Sequence, residues 1–139
     1  MTIQRPLIVL AVVGAIGGVL LFLVAGSTEG GPPGTSQHDN YEQANRIIAI
    51  PWFLALIGLI GLLIMQVRRE VHIWRAATLV VAITGTILVL GGNVAEFVVY
   101  ADTRHQAGGH DTAWAAFLLG HLILVAAGAG FAVGTWRSR

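Results

Sequence analysis

The sequence predicts an all-α integral membrane protein, a four-transmembrane-helix antiparallel bundle with both termini cytoplasmic, and three observations predict it. Of 139 residues, 55% are hydrophobic and only 11% charged, with a mean hydropathy of +0.76. A water-soluble domain needs roughly 25% charged residues to hydrate its surface. Next, apolar runs without a charged residue occupy 7–26, 47–65, 76–95 and 112–136. At 1.5 Å rise per residue, about 20 residues cross a hydrocarbon core of roughly 30 Å. The runs are continuous and too long for barrel strands of about 10 residues, so helices are the remaining way to satisfy their backbone groups in lipid. Finally, the arginines are unevenly distributed around these runs. Arg5, Arg68, Arg69, Arg75, Arg137 and Arg139 fall on one side, Arg46 and Arg104 on the other. The side richer in arginine is the cytoplasmic one.

The first helix is expected over 6–26. Arg5 before an apolar stretch and the small residues Val24, Ala25, Gly26 and Ser27 resemble a signal peptide. The run is longer than an ordinary signal core, so it is read as a retained span. The connection over 27–39 is exoplasmic. It contains Gly30-Gly31-Pro32-Pro33-Gly34, which cannot continue a helix.

The second helix is expected over 40–67. Asp39 followed three residues later by Glu42 has capping-box spacing, which places the start near Asn40. Pro51 lies inside this helix and removes the bond to the Ile47 carbonyl, so a bend is expected near the outer interface. A short cytoplasmic link then forces an antiparallel hairpin with a third helix over 73–100, and 101–110 turns the chain into a fourth over 111–136. Trp52, Tyr100 and Trp114 near the outer boundary, and Trp74 and Trp136 near the inner one, match interfacial belts. The whole chain, 1–139, reads as one domain in a membrane, with a prokaryotic plasma membrane as the expected location.

Eight basic residues, all arginine, balance seven acids to a net charge of +1. No basic stretch is interleaved with aromatics, so nucleic acid is not an expected partner. The absence of cysteine excludes disulfides, thiolate metal sites and cysteine nucleophiles. No nucleophile elbow, phosphate loop, metalloprotease helix or dinucleotide fingerprint occurs, and the chain is not expected to be an enzyme.

Polar residues inside the apolar runs carry the chemistry that remains. Thr86, Asn93, Glu96 and Tyr100 are offset by 7, 10 and 14 residues, which puts them on one face of a regular helix. Glu96 would lie roughly 6 Å deep, where a carboxylate needs a partner or water. His121, in the fourth helix, would lie roughly 13 Å deep, near the level of Asn93. These residues are the expected ligand or ion-pathway candidates. The alternative is that they make only structural contacts across helices, which contribute about 0.6 kcal/mol on average.

Small residues mark expected helix-packing faces, namely Gly14 and Gly18 in the first helix and Ala126, Gly130 and Gly134 in the fourth. His38, His105 and His110 form an exoplasmic set competent to bind copper or zinc, but their spacing matches no compact metal motif. Haem or pigment ligation by His121 is a lesser alternative, because no second deep histidine pairs with it. From these features, the first functional expectation is a structural or accessory subunit of a membrane assembly, or a homo-oligomer. It would be surrounded by lipid and packed against other membrane subunits. The second is a proton, cation or small-solute transporter or channel using Glu96 and His121. The third is a haem-, pigment- or metal-binding subunit.

Overall fold

The computed structural model describes residues 4–25, 34–68, 73–100 and 109–137, all of them helical or in the turns beside helices. Helix α1 spans Gln4–Ala25, α2 Ser36–Ile47, α3 Ala49–Arg68, α4 Ile73–Val94 and α5 Gly109–Arg137, with a π-helical turn over Ala95–Val99 extending α4. Among the described residues, three helical stretches are long and apolar enough to cross a membrane: His38–Val67, Ile73–Val99 and Asp111–Val133. A shorter apolar stretch, Val12–Leu21, lies in α1.

Helix α2 begins four residues before the position expected from the capping box. Gly34 takes the left-handed conformation, with φ of 81°. Thr35 follows in extended backbone, and its hydroxyl accepts from the His38 amide at 3.3 Å. Thr35 is therefore the N-cap in place of Asp39. Asp39 instead stands in the first helical turn, where a carboxylate faces the positive end of the helix dipole.

Where a bend was expected near Pro51, the helix carries a one-residue turn at Ile48, which keeps helical backbone dihedrals, so that His38–Val67 still runs as one helical stretch. The Ile48 amide still donates to the Ala44 carbonyl at 2.9 Å and closes α2. The Trp52 amide donates to Ile48 at 3.3 Å and opens α3. Between them, Pro51 has no N–H to offer Ile47.

The helices form a row: α1 packs along α3, α3 on α4, and α4 on α5. Glycines set the two tightest joints. A Cβ on Gly14 would stand 2.5 Å from the Gly58 Cα, and one on Gly17 2.7 Å from the Ala55 amide nitrogen. On the other side, a Cβ on Gly92 would stand 2.6 Å from the Ala113 carbonyl and one on Gly120 2.7 Å from the Gly85 carbonyl. Bare backbone at these positions is what permits van der Waals contact between helices, the main cohesion left in an apolar solvent. The same contacts fix direction, since Leu10 meets Gly61 while Gly17 meets Ala55, so α1 and α3 run antiparallel, as do α4 and α5. The buried apolar residues Leu79, Val89, Phe97, Ala113 and Ala127 all lie on α4, its π turn or α5.

Candidate functional site

Helix α4 presents its polar stripe to the interior. Thr86 is 1% exposed, Asn93 0% and Glu96 5%, and Thr86 and Asn93 are two of the three largest fully buried side chains among the described residues. Thr86 is satisfied locally, its hydroxyl donating to the Ala82 carbonyl at 2.8 Å. Asn93 is not, for neither its Nδ2 nor its Oδ1 has a hydrogen-bonding partner in the protein. Leaving a buried donor or acceptor unmet costs about 1–3 kcal/mol each. Glu96 is partnered, as a buried carboxylate in an apolar span must be.

The π turn changes the stripe at its outer end. The Tyr100 amide donates to the Ala95 carbonyl at 2.8 Å, five residues back instead of four. Phe97, four residues beyond Asn93, is buried at 4% exposure, while Tyr100, past the wider turn, is only half-buried. The offset of 14 assumed regular α-helical winding throughout. The actual interior set is Thr86, Val89, Asn93, Glu96 and Phe97. Single-turn π segments of this kind occur often at functional sites.

A second face completes the region. Tyr41 meets Phe97 edge-on, ring centroids 5.9 Å apart. One turn farther along α2, Asn45 is buried, its Nδ2 donating to the Tyr41 carbonyl at 2.9 Å. Farther along, Trp52 presents an edge to His121 at 5.7 Å, and Phe117 covers the same imidazole at 4.4 Å. The His121 Nδ1 lies 2.8 Å from the Phe117 carbonyl. A carbonyl only accepts, so Nδ1 carries the proton in that contact and Nε2 faces the remaining surroundings. Asn45 was not among the residues expected from sequence. The spacing Tyr41, Asn45, Ile48, Trp52 is the signal for it, since these offsets share one helical face.

The other candidates are scattered. His38 pairs with Glu42 at 3.0 Å, and Arg46 reaches the same carboxylate at 3.8 Å, all on the surface of α2. His105 lies outside the described residues, as do the side chains of His110 and Gly134. Among the described residues no group of three potential ligands could hold a metal ion. Gly14 is inside the α1/α3 joint, whereas Gly18 has nothing within 4 Å of its missing Cβ. On α5, Gly130 meets Thr78 while Ala126 is exposed, and it is the next residue, Ala127, that is buried.

On the half nearer Arg68 and Ile73, α3, α4 and α5 enclose a laterally open groove of about 380 Å³, lined by Leu59, Leu62, Leu79, Leu124 and Phe131. Gln66 also lines it, and its carbonyl oxygen has no partner in the protein. The threonines of this half are closed off. Thr78 and Thr84 donate to the carbonyls of Arg75 and Val80 on their own helix, at 2.9 and 3.0 Å. Buried polar groups able to engage a ligand are therefore Gln66 beside this groove and, toward the other end of α4, Asn93 and Glu96. No protein family, curated protein or solved structure matches this chain.

Proposed function

We propose that the chain is a four-span membrane protein with both termini cytoplasmic, working as a structural or accessory subunit of a membrane assembly or as a homo-oligomer. The observation that carries this reading is the open row. Gly18 on α1 and Gly91 on α4 are exposed with nothing within 4 Å of a Cβ, although Gly14, Gly17, Gly85 and Gly92 on the same helices are taken up by internal joints, and Gly128 on α5 is equally free of contact at the lip of the open groove. Glycine in a helix interior costs about 1 kcal/mol relative to alanine, and an outward glycine gains no packing inside the chain to offset that. A second helix seated against it would supply the offset. Native mass spectrometry from mild detergent tests the proposal. Assemblies that dissociate in Gly18→Leu or Gly128→Leu support it. A wild-type monomer unchanged by either substitution refutes it.

A second reading, proton or cation movement through Glu96, is favoured by the burial of this carboxylate beside a π turn. Its route inward would need groups beyond the closed-off threonines, supplied by a partner subunit or by motion. Flux into liposomes carrying wild type, Glu96→Gln or His121→Ala tests it. Loss of flux in Glu96→Gln supports the reading, and equal flux in all three, or none in any, removes it.

A further inference from the structure

We infer that the Asn93 carboxamide binds a hydroxyl group, supplied either by a resident water or by the hydroxyl end of a small apolar molecule. Asn93 is 0% exposed, and both of its polar atoms lack partners in the protein. A carboxamide has two protons to donate and an acceptor oxygen. A metal cation would complement Oδ1 alone and an anion Nδ2 alone, whereas a hydroxyl both donates and accepts and answers both atoms at once. Asparagine inside a helix often bonds back to its own backbone, as Asn45 does to Tyr41. Asn93 does not, so its amide stays available to something else.

The surroundings suit such an occupant. A bound hydroxyl needs two to four polar partners, and the Asn93 carboxamide itself supplies two, a donor and an acceptor. Glu96, also buried, lies three residues farther along the same helix, and Asn45 on α2 is buried one turn from Tyr41, whose ring meets Phe97. The π turn begins two residues beyond Asn93, at Ala95. Phe97 and Tyr41 close the region toward the outer surface, while Val89 closes it one turn inward. The carboxamide is therefore bounded by apolar side chains in both directions along the helix, which suits a single small group rather than a file of ions. The site does not depend on the subunit reading, since every residue in it belongs to one chain.

The full chain in lipid nanodiscs, studied by infrared difference spectroscopy in water and in oxygen-18 water, tests this, together with native mass spectrometry of the same sample. A weakly hydrogen-bonded O–H band that shifts with the oxygen isotope and disappears in Asn93→Leu identifies a water. A retained small mass that is lost in Asn93→Leu, with no isotope-sensitive band, identifies a hydroxylated molecule. If Asn93→Leu does not fold, a cross-relaxation peak from the wild-type Asn93 side-chain amide protons to the occupant locates it equally well. A wild-type protein with neither the band nor the retained mass overturns the proposal. So does an isotope-sensitive band or retained mass that persists unchanged in folded Asn93→Leu, or that gives no cross-relaxation to the Asn93 amide where that variant does not fold.

Discussion

Gly120→Ala and Gly128→Ala are the same substitution on the same helix, and the structure gives them opposite signs. A methyl at position 120 would stand 2.7 Å from both the Gly85 carbonyl oxygen and the Val89 amide nitrogen. Those are backbone atoms of α4, so no side chain can swing aside to relieve the contact. The gap is roughly 0.7 Å short of the 3.4 Å at which ordinary contact begins. Helices α4 and α5 must separate by that order, loosening the joint that buries Val89 and Ala113. Overpacking of this kind costs about 1–3 kcal/mol, and alanine returns up to about 1 kcal/mol through its better helix propensity. A net loss of about 1–2 kcal/mol is expected. At position 128 the methyl meets nothing within 4 Å. Only the propensity gain remains, and alanine is still small enough to keep a helix-docking face. That variant should equal or exceed wild type by up to about 1 kcal/mol. Reversible unfolding in mixed micelles, titrated with a denaturing detergent and followed by circular dichroism, measures both. If Gly120→Ala is as stable as Gly128→Ala, the close approach of α4 and α5 is wrong.

Thr35→Ala should cost about 1 kcal/mol by removing the α2 cap, and faster amide exchange confined to residues 36–40 would report it. Glu42→Gln removes the shared carboxylate of a surface ladder with His38 and Arg46, and should cost no more than about 0.5–1 kcal/mol, a difference that disappears in high salt. Pro51→Ala restores the missing N–H and should join α2 to α3, seen as slowed exchange over residues 48–52. As α2 realigns, the Tyr41 ring should leave Phe97, which loss of their mutual nuclear Overhauser contacts would show.

The three stretches long and apolar enough to cross a membrane were legible because a hydrocarbon solvent leaves so few backbone solutions that composition and run length nearly decide them. The fourth expected span, in α1, shows only the shorter apolar stretch Val12–Leu21 among the described residues. The turn at Ile48 was legible because the consequence of Pro51 is local and covalent. The start of α2 was less so. Asp39 and Glu42 have the right spacing for a cap, but Gly34 and Thr35 reach the required conformations first. The stripe through Thr86, Asn93 and Glu96 came from helical periodicity, and that same assumption misplaced Tyr100 beyond the π turn. No residue over 94–99 announces the extra winding. The glycines divide in the same way. Sequence identifies small residues, but whether Gly14 or Gly18 faces α3 depends on rotation about the helix axis, which an apolar helix surrounded by lipid does not encode in its hydrophobic pattern.

The unequal joints of the row have a mechanical consequence. Glycines clamp α1 to α3 and α4 to α5, backbone against backbone, whereas the boundary between α3 and α4 carries the open groove, and Asn93 and Glu96 lie where the end of α4 meets α2. The molecule is thus two stiff slats joined along one softer seam. Lateral tension in the bilayer, or thermal agitation, would spread the slats along that line before it parted either clamped pair. The side chains exposed first by such a parting are the ones least suited to lipid.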